Sequence, residues 1–215
     1  MINTVVIVGA GQAGIQTAVS LRQGGFTGRV ILLGEELHLP YQRPPLSKQV
    51  LKGEFTEDKC TLRQQGFLDQ QNIEFRAGSR VVTLDARQQA VTLEGGRIVD
   101  YDALVIATGS RLNRLSLDGS RLTGVHYLRT LDDALALREQ LQPNTRLVVA
   151  GAGYIGLEVA ASARSMGCDV TVVEAQPGIM QRSALAPIAD FLEARHRREG
   201  VSFQFERLMT EIHGG

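Results

Sequence analysis

Two short glycine-rich strings have the composition and spacing of phosphate-binding turns. The string Gly9–Gly14 is G-A-G-Q-A-G, and the string Gly151–Gly156 is G-A-G-Y-I-G. In this pattern the first glycine permits a tight turn, the second lets backbone approach a pyrophosphate, and the third lets a helix pack closely on a strand. The start of the following helix offers unpaired N–H groups and the positive end of its dipole to phosphates. Two dinucleotide sites are therefore predicted.

Each glycine string is followed at a similar distance by a glutamate. Glu35 lies 21 residues after Gly14, and Glu174 lies 18 residues after Gly156. A carboxylate at this distance accepts hydrogen bonds from the adenosine ribose hydroxyls. Either glycine string alone could be a chance turn, but two strings with matching acids argue against that alternative. A carboxylate at Glu174 suits a free 2′-hydroxyl and repels a 2′-phosphate, which favours NADH over NADPH.

The elements needed to position these residues occur twice. A β-branched run precedes each string, an Ala-rich helical pattern follows it to a glycine stop, and a second apolar strand leads to the acid. The predicted strands of the two repeats are 4–8, 30–33, 147–150 and 170–173, and the predicted helices are 15–23 and 157–166. Between and after them we predict strands over 72–76, 80–84, 90–93, 97–99, 102–107 and 201–205, and helices over 131–140 and 187–198. The fold class is therefore α/β with two Rossmann-like domains.

Composition narrows the class of protein. The 23 basic residues balance 23 acidic residues, so no overall field favours nucleic acid as a partner. Cys60 and Cys168 are far apart and form no C-x-x-C pair, which favours a reduced, cytoplasmic protein. The N-terminus lacks the pattern of a signal peptide, and no apolar run approaches the ~20 residues that span a bilayer, so no membrane partner is expected. The four histidines show no metal-ligand spacing, and no metal site is predicted.

Four strings together resemble a known family. They are Gly9–Gly14, Pro40–Lys48 (P-Y-Q-R-P-P-L-S-K), Ala107–Ser110 (A-T-G-S) and Gly151–Glu158 (G-A-G-Y-I-G-L-E). They resemble the NADH-dependent ferredoxin reductases of the pyridine nucleotide-disulfide oxidoreductase superfamily. That group includes the putidaredoxin, rhodocoxin and aromatic-dioxygenase reductases and is related to apoptosis-inducing factor. The resemblance extends through essentially the whole chain.

The resemblance implies a flavoenzyme with FAD and NAD domains of the three-layer ββα type. Residues 1–112 would be the first segment of the FAD domain, and residues 113–215 the N-terminal part of the NAD domain. The second FAD segment and the C-terminal domain of the family have no counterpart in this sequence. NADH would reduce FAD, and the flavin would pass single electrons to a [2Fe-2S] ferredoxin or a rubredoxin-like carrier that serves a P450 or a ring-hydroxylating oxygenase. The oligomeric state is left open.

The resemblance also implies roles for particular residues at the FAD site. Lys48 would lie near the reactive nitrogen of the flavin and stabilise the negative charge that develops there. The alternatives are structural: Lys48 would be a solvated lysine, Arg43 a turn residue and Arg111 a solvated arginine. Residues 82 and 107–109 would be plain strand residues. The residues carried over to the FAD site are Gly9, Gly11, Ala13, Gly14, Glu35, Arg43, Lys48, Val82, Ala107, Thr108, Gly109 and Arg111.

At the NAD site, the resemblance implies that Tyr154 stands between the nicotinamide pocket and the flavin. Glu158 follows four residues later on the same helical face and would lie near the nicotinamide. A helix-start aromatic and an exposed glutamate are the alternatives. The residues carried over are Gly151, Gly153, Tyr154, Ile155, Gly156, Glu158 and Glu174, and the catalytic residues would be Lys48, Tyr154 and Glu158.

Two further functions remain open from the sequence alone. A dinucleotide-binding protein of the same family could act without redox chemistry. A truncated, catalytically inactive fragment would carry the same motifs. Flavin absorbance and its response to NADH separate these alternatives from a working reductase.

Overall fold

The computed structural model describes residues 1–214 in two compact units. The first unit consists of Met1–Gln42 and Asp58–Arg111. The second consists of Arg43–Glu57 and the chain from Leu112 onward. The last residue of the predicted NAD domain, Gly215, lies outside the described residues. These units are defined by packing within the chain. The division into an FAD domain at 1–112 and an NAD domain at 113–215 depends on where the cofactors bind, so it stays a prediction.

A four-stranded parallel sheet lies at the centre of the first unit. Its strands are β1 (Thr4–Val8), β2 (Arg29–Leu33), β3 (Ile73–Arg76) and β7 (Ala103–Ile106), in the order β3-β2-β1-β7. Val6, Ile7, Ile31 and Leu32 are fully buried. Such continuous apolar runs are typical of parallel strands that are covered on both faces.

The two faces of this sheet are covered by different layers. Helix α1 (Gln12–Gln23) connects β1 to β2, and its Ile15, Ala18 and Val19 pack with one face of the sheet. On the other face lies an antiparallel sheet of β4 (Val81–Asp85), β5 (Ala90–Leu93) and β6 (Ile98–Asp100). The first unit is thus the three-layer ββα arrangement that the resemblance implied.

Short elements connect these strands. The four-residue helix α2 (Glu57–Cys60) and helix α3 (Gln65–Gln70) precede β3, and the sequence analysis predicted neither. Arg22, in the last turn of α1, donates from its guanidinium to the carbonyl oxygens of Phe26, Gly28, Gln71 and Asn72. These bonds fix the turn between α1 and β2 to the start of β3.

The second unit repeats the parallel arrangement with three strands. Their order is β10 (Ser202–Gln204), β9 (Asp169–Val173) and β8 (Arg146–Ala150). Helix α5 (Tyr154–Ser165) connects β8 to β9, and α6 (Ala186–Arg198) connects β9 to β10. The core contains the apolar face of α5 (Leu157, Ala160 and Ala163) and the buried side of β9.

Two further elements of the second unit support α5. Helix α4 (Leu131–Gln140) begins with a capping box, in which the amide of Asp133 donates to the Thr130 hydroxyl and the amide of Thr130 donates to the Asp133 carboxylate. The segment Leu46–Val50 forms a short π-helical turn, which packs against both α5 and α4. Pro44 and Pro45 precede this turn, and Val50 donates its amide to the Pro45 carbonyl at 3.0 Å. Among the described residues, no helix is both long enough and apolar enough to cross a bilayer.

Candidate functional site

The first glycine string forms a tight turn at the end of β1. Gly9 has a φ of 110°, and a methyl group there would overlap the carbonyl oxygen of Ala107. A methyl group at Gly14 would overlap the carbonyl of Gly9, so the first and third glycines are needed for packing. A methyl group at Gly11 would meet no atom within 4 Å. The second glycine therefore faces open space, at the N-cap of α1, where a pyrophosphate could approach the backbone.

The other residues expected at the FAD site lie mostly at the same edge of the first unit. Ala107, Thr108 and Gly109 follow β7, and Ala107 donates its amide to the Val8 carbonyl at 2.8 Å. The carboxyl ends of parallel strands are where α/β sheets bind ligands. Ala13 lies in the first turn of α1, Val82 is a half-exposed residue of β4, and Arg111 is an exposed residue at the end of the unit.

Glu35 lies two residues after β2 and is solvent-exposed. One carboxylate oxygen lies 3.3 Å from the guanidinium of Arg80. The neighbouring Glu36 accepts a hydrogen bond from the buried hydroxyl of Tyr41. The Glu36–Tyr41 hydrogen bond thus stabilises the loop after β2, whereas Glu35 is exposed to solvent beside Arg80.

The second glycine string forms a similar turn at the end of β8, except that an added methyl group at Gly151 would meet no atom within 4 Å. Gly151 has a φ of 100°, and a methyl group at Gly156 would overlap the Gly151 carbonyl. Gly153 is the N-cap of α5 and, like Gly11, has no atom within 4 Å of an added methyl group. The side chains of Tyr154 and Ile155 follow at the start of α5 and are 58% and 55% exposed.

Glu174 is fixed to the second glycine turn by backbone donors. The Ala152 amide donates to one carboxylate oxygen at 2.7 Å, and the Gln176 amide donates to the other at 2.9 Å. On the far side of the same turn, the amide of Met180 donates to the Ala152 carbonyl at 3.0 Å, and Met180 adopts a positive φ of 52°. The acid and the turn therefore form one hydrogen-bonded structure within the second unit.

Two residues that the sequence assigned to different cofactors form an ion pair. The ammonium of Lys48, on the π-helical turn, lies 2.9 Å from a carboxylate oxygen of Glu158, on α5, and each side chain is 36% exposed. Arg43, in the same segment, donates from its guanidinium to the carbonyl of Arg129 just before α4. Arg43 and Lys48 thus belong to the second unit by packing.

Sequence reasoning did not single out two serines beside this pair. Ser47 and Ser162 are buried, and both take part in the hydrogen bonds around Glu158. Ser47 lies within the P-Y-Q-R-P-P-L-S-K string, directly before Lys48, so its position was a signal that could have been used. Ser162 lies one helical turn after Glu158, which is the spacing of residues on one helix face.

The cysteines lie apart from these residues and from each other. Cys60 and Cys168 are buried, one in each unit, and form no disulfide with each other. Burial raises the pKa of the Cys168 thiol, and its Sγ lies 3.4 Å from the Gln142 carbonyl, to which it donates. A buried thiol with a raised pKa is a poor nucleophile. Within residues 1–214, no group of three or more His, Cys, Asp or Glu side chains is arranged to hold a metal ion.

Two parallel sheets, each with a glycine turn opening a helix, define a dinucleotide-binding protein of the Rossmann type. The chain belongs to the pyridine nucleotide-disulphide oxidoreductase family, whose model matches residues 3–215.

Among curated relatives, the ferredoxin–NAD(+) reductase component of the p-cumate 2,3-dioxygenase system of Pseudomonas putida is 43% identical over 211 residues, which are 98% of this chain and 52% of the relative. Rhodocoxin reductase of Rhodococcus erythropolis is 43% identical, over 97% of this chain and 48% of the relative.

Solved structures agree with these sequence matches. The ferredoxin reductase for the CYP199A2 system from Rhodopseudomonas palustris superposes with a TM-score of 0.95 at 41% identity, covering 99% of this chain and 52% of that one. The putidaredoxin reductase of a covalent complex with putidaredoxin superposes with a TM-score of 0.93 at 37% identity, again over 99% and 52%. These matches confirm the predicted α/β fold class and the resemblance. The chain spans about half the length of the relatives it matches.

Proposed function

We propose that this chain provides the FAD-binding and NADH-binding turns of a flavoprotein reductase, which passes electrons from NADH through FAD to a small carrier protein. The observation that carries the proposal is the pair of matched glycine turns on two separate parallel sheets. A single-dinucleotide protein needs only one such turn. A protein that holds both NADH and FAD on Rossmann-type sheets has two.

The first turn fits the pyrophosphate of FAD. Gly11 leaves its backbone open at the start of α1, and α1 has no acidic residue in its first turn to compete with a phosphate. Glu35 would accept from the adenosine ribose, and Arg43 and Lys48 would contribute positive charge to FAD binding. The remaining residues proposed for FAD are Gly9, Ala13, Gly14, Val82, Ala107, Thr108, Gly109 and Arg111.

The second turn fits NADH. Glu174 is held in place by the Ala152 and Gln176 amides, so its negative charge stays beside the turn where the adenosine ribose would lie. A fixed carboxylate accepts from a ribose hydroxyl but repels a 2′-phosphate, which supports NADH over NADPH. Gly151, Gly153, Ile155 and Gly156 would hold the pyrophosphate, and Tyr154 would stand beside the nicotinamide.

When bound, FAD accepts a hydride and releases single electrons. The chain's own contribution is to position the charged side chains of Lys48 and Glu158. The positive charge of Lys48 would stabilise negative charge that develops on the flavin. The Glu158 carboxylate holds the Lys48 ammonium at 2.9 Å. Tyr154 is exposed at the helix start, and its hydroxyl donates to the Ser183 carbonyl at 3.4 Å.

For the electron acceptor we propose a [2Fe-2S] ferredoxin or a rubredoxin-like carrier. The proposal draws on relatives named as ferredoxin, rubredoxin, rhodocoxin and putidaredoxin reductases. Burial of the Cys168 thiol and its raised pKa support direct transfer from flavin to carrier over a dithiol relay through this residue. A P450 or a ring-hydroxylating oxygenase would then receive the electrons from the carrier. Two cysteines without a C-x-x-C pair suit a reducing compartment, so we propose that the reaction takes place in the cytoplasm.

Reconstitution with FAD tests the first site. The parent chain and two variants, Gly11→Ala and Gly66→Ala, are incubated with FAD and freed of unbound flavin. Both glycines have open space around an added methyl group, but only Gly11 lies at the proposed pyrophosphate site. We expect Gly11→Ala to lose FAD while remaining folded and Gly66→Ala to retain it. Equal FAD contents in the two variants would contradict the assignment of the first turn to FAD.

A further inference from the structure

Two buried hydroxyls lie beneath the Lys48–Glu158 pair. Ser47 is 4% exposed and Ser162 is 5% exposed, and they are the buried polar side chains of the described residues. A buried hydroxyl is costly unless it is hydrogen-bonded. Both are satisfied here, and their partners form one continuous chain of hydrogen bonds.

This chain of hydrogen bonds runs from α5 to the π-helical turn and back to α5. The Ser162 hydroxyl donates to the Ser47 carbonyl at 2.7 Å. The Ser47 hydroxyl donates to Oε2 of Glu158. The other carboxylate oxygen, Oε1, faces the Lys48 ammonium at 2.9 Å. Since Glu158 and Ser162 are four residues apart on α5, both face the same turn.

Without a buried partner, a half-exposed ion pair holds its geometry poorly. Pairs of this kind contribute little, because two long side chains must give up conformational freedom in water. Ser47 changes this balance, because its hydroxyl has almost no exposure and its carbonyl is held by Ser162. One carboxylate oxygen is thereby fixed from below, and the other is left for Lys48.

The backbone explains how two adjacent residues reach one carboxylate. Leu46–Val50 is a π-helical turn rather than an α-helix, and such turns are frequent at functional sites. The wider turn directs Ser47 into the interface with α5 while Lys48 remains half-exposed.

We propose that Ser47 is a positioning residue for the Lys48–Glu158 pair, with Ser162 holding Ser47 in place. This proposal deepens the proposed function and rests on it for the role of Lys48 beside the flavin. The geometric part, that Ser47 couples Lys48 to Glu158, can be tested with no cofactor present.

The first experiment is a double-mutant cycle on unfolding of the 215-residue chain, with Lys48→Met, Glu158→Gln and the double variant. In the parent background the pair should change the unfolding equilibrium constant by about fivefold, the upper end for a half-exposed pair. In a Ser47→Ala background this coupling should fall to about onefold, because Glu158 loses its fixed oxygen. If Ser47→Ala does not fold, Ser47→Cys, which keeps the volume with a weak donor, replaces it. Coupling that is unchanged by the loss of the Ser47 hydroxyl would overturn the proposal.

The second experiment measures the rate of flavin reduction by NADH in the FAD-loaded protein. Ser47→Ala should slow reduction by about tenfold while NADH affinity and FAD content stay the same, because misplacement of a charged group affects the chemical step more than binding. Ser165→Ala is the matched control, since it also removes a serine hydroxyl, but one on α5 that donates to the Ser162 carbonyl and not to Glu158. Ser47→Thr, which keeps the hydroxyl, should recover most of the rate.

The two experiments separate the possible failures. A parent that takes up no reducible flavin contradicts the proposed function, while the cycle still decides whether Ser47 positions the pair. A parent that works, with Ser47→Ala and Ser165→Ala equally fast, overturns the positioning role. Equal losses of FAD content and of reduction rate in Ser47→Ala would show a merely structural serine and overturn it as well.

Discussion

The ammonium of Lys48 lies 2.9 Å from the carboxylate of Glu158, although the sequence placed these residues in the sites of two different cofactors. The contact lies inside the second unit, between the π-helical turn and α5. Lys48 is positioned by the segment Arg43–Glu57, and Glu158 is positioned by α5, the helix that follows the second glycine turn. Both residues of this ion pair therefore belong to the second unit.

Removing the charge of Lys48 should slow flavin reduction more than it weakens FAD binding. We expect Lys48→Met to lower the reduction rate by NADH by about 10- to 100-fold, as for the loss of one electrostatic stabiliser. Lys52→Met is the matched control, because Lys52 lies nearby in the same segment and pairs with Glu54 at 2.8 Å. Stopped-flow absorbance measures both variants. Equal rates would show that Lys48 is a solvated lysine.

Neutralising Glu174 should shift the nucleotide preference toward NADPH. Glu174→Gln keeps an acceptor for the Ala152 amide but removes the charge that repels a 2′-phosphate. We expect the ratio of kcat/KM for NADPH to that for NADH to rise by about tenfold, which is one unit of 1.4 kcal/mol. Glu174→Ala should shift the ratio in the same direction and also loosen the turn. Glu199→Gln serves as the control, because Glu199 is also a paired carboxylate, which contacts Arg195 on α6. An unchanged ratio would remove Glu174 as the selector.

Two glycines of the first turn, Gly9 and Gly11, should differ sharply in their tolerance of a methyl group. Gly9→Ala combines a left-handed backbone with an overlap on the Ala107 carbonyl. We expect it to lower the free energy of unfolding by about 2–4 kcal/mol, while Gly11→Ala changes it by less than about 0.5 kcal/mol. Urea denaturation gives both values. A tolerant Gly9 would mean that the turn is not packed against β7 as described.

Acid stability should depend on Asp102, which precedes β7. Hydrogen bonds from the amides of Asn3 and Thr4, both 2.8 Å long, lower the pKa of this carboxyl despite its exposure. A lowered folded pKa gives stabilisation that is full above the unfolded value of about 3.9 and is lost as pH falls through the folded value. Asp102→Asn should therefore flatten the acid limb of the stability curve. Asp100→Asn, an exposed neighbour at the end of β6, should not. Thermal unfolding across acid pH checks this, and identical curves for the two variants would count against it.

Much of the fold could be predicted from the sequence, because local signals and tertiary packing agree there. The strand predicted over 90–93 is β5, and the helix predicted over 131–140 is α4. The expected glycine stops are also confirmed, with left-handed φ values of 83° at Gly25 and 87° at Gly167. In these places apolar periodicity, glycine placement and capping residues all specify the same structure.

The segment between β2 and β3 could not be predicted in the same way. The π-helical turn, α2 and α3 are short, and short elements depend on tertiary contacts more than on periodicity. Leu51, which is fully buried in the core of the second unit, shows where the stabilisation of that turn comes from. No pattern in the sequence of residues 46–51 indicates that this turn packs against α5.

Within the candidate site, the sequence predicted residues but not their partners. The strings around Lys48 and Glu158 indicated both side chains, whereas their ion pair depends on how a distant turn packs on α5. The string P-Y-Q-R-P-P-L-S-K includes Ser47, but nothing in the string indicates that this serine is buried against Glu158. Its burial of all but 4% is a property of the packed structure.

The most direct test of the central claim is an anaerobic titration of the FAD-reconstituted chain with NADH, followed in the visible flavin band. We expect the chain to retain FAD after removal of free flavin, and about one equivalent of NADH to bleach the band, since one hydride reduces one flavin. Gly153→Ala should retain FAD but respond weakly, because only the second turn is changed. A chain that holds no FAD, or a bound flavin that NADH leaves oxidised, would contradict the claim that these two turns form a working pair.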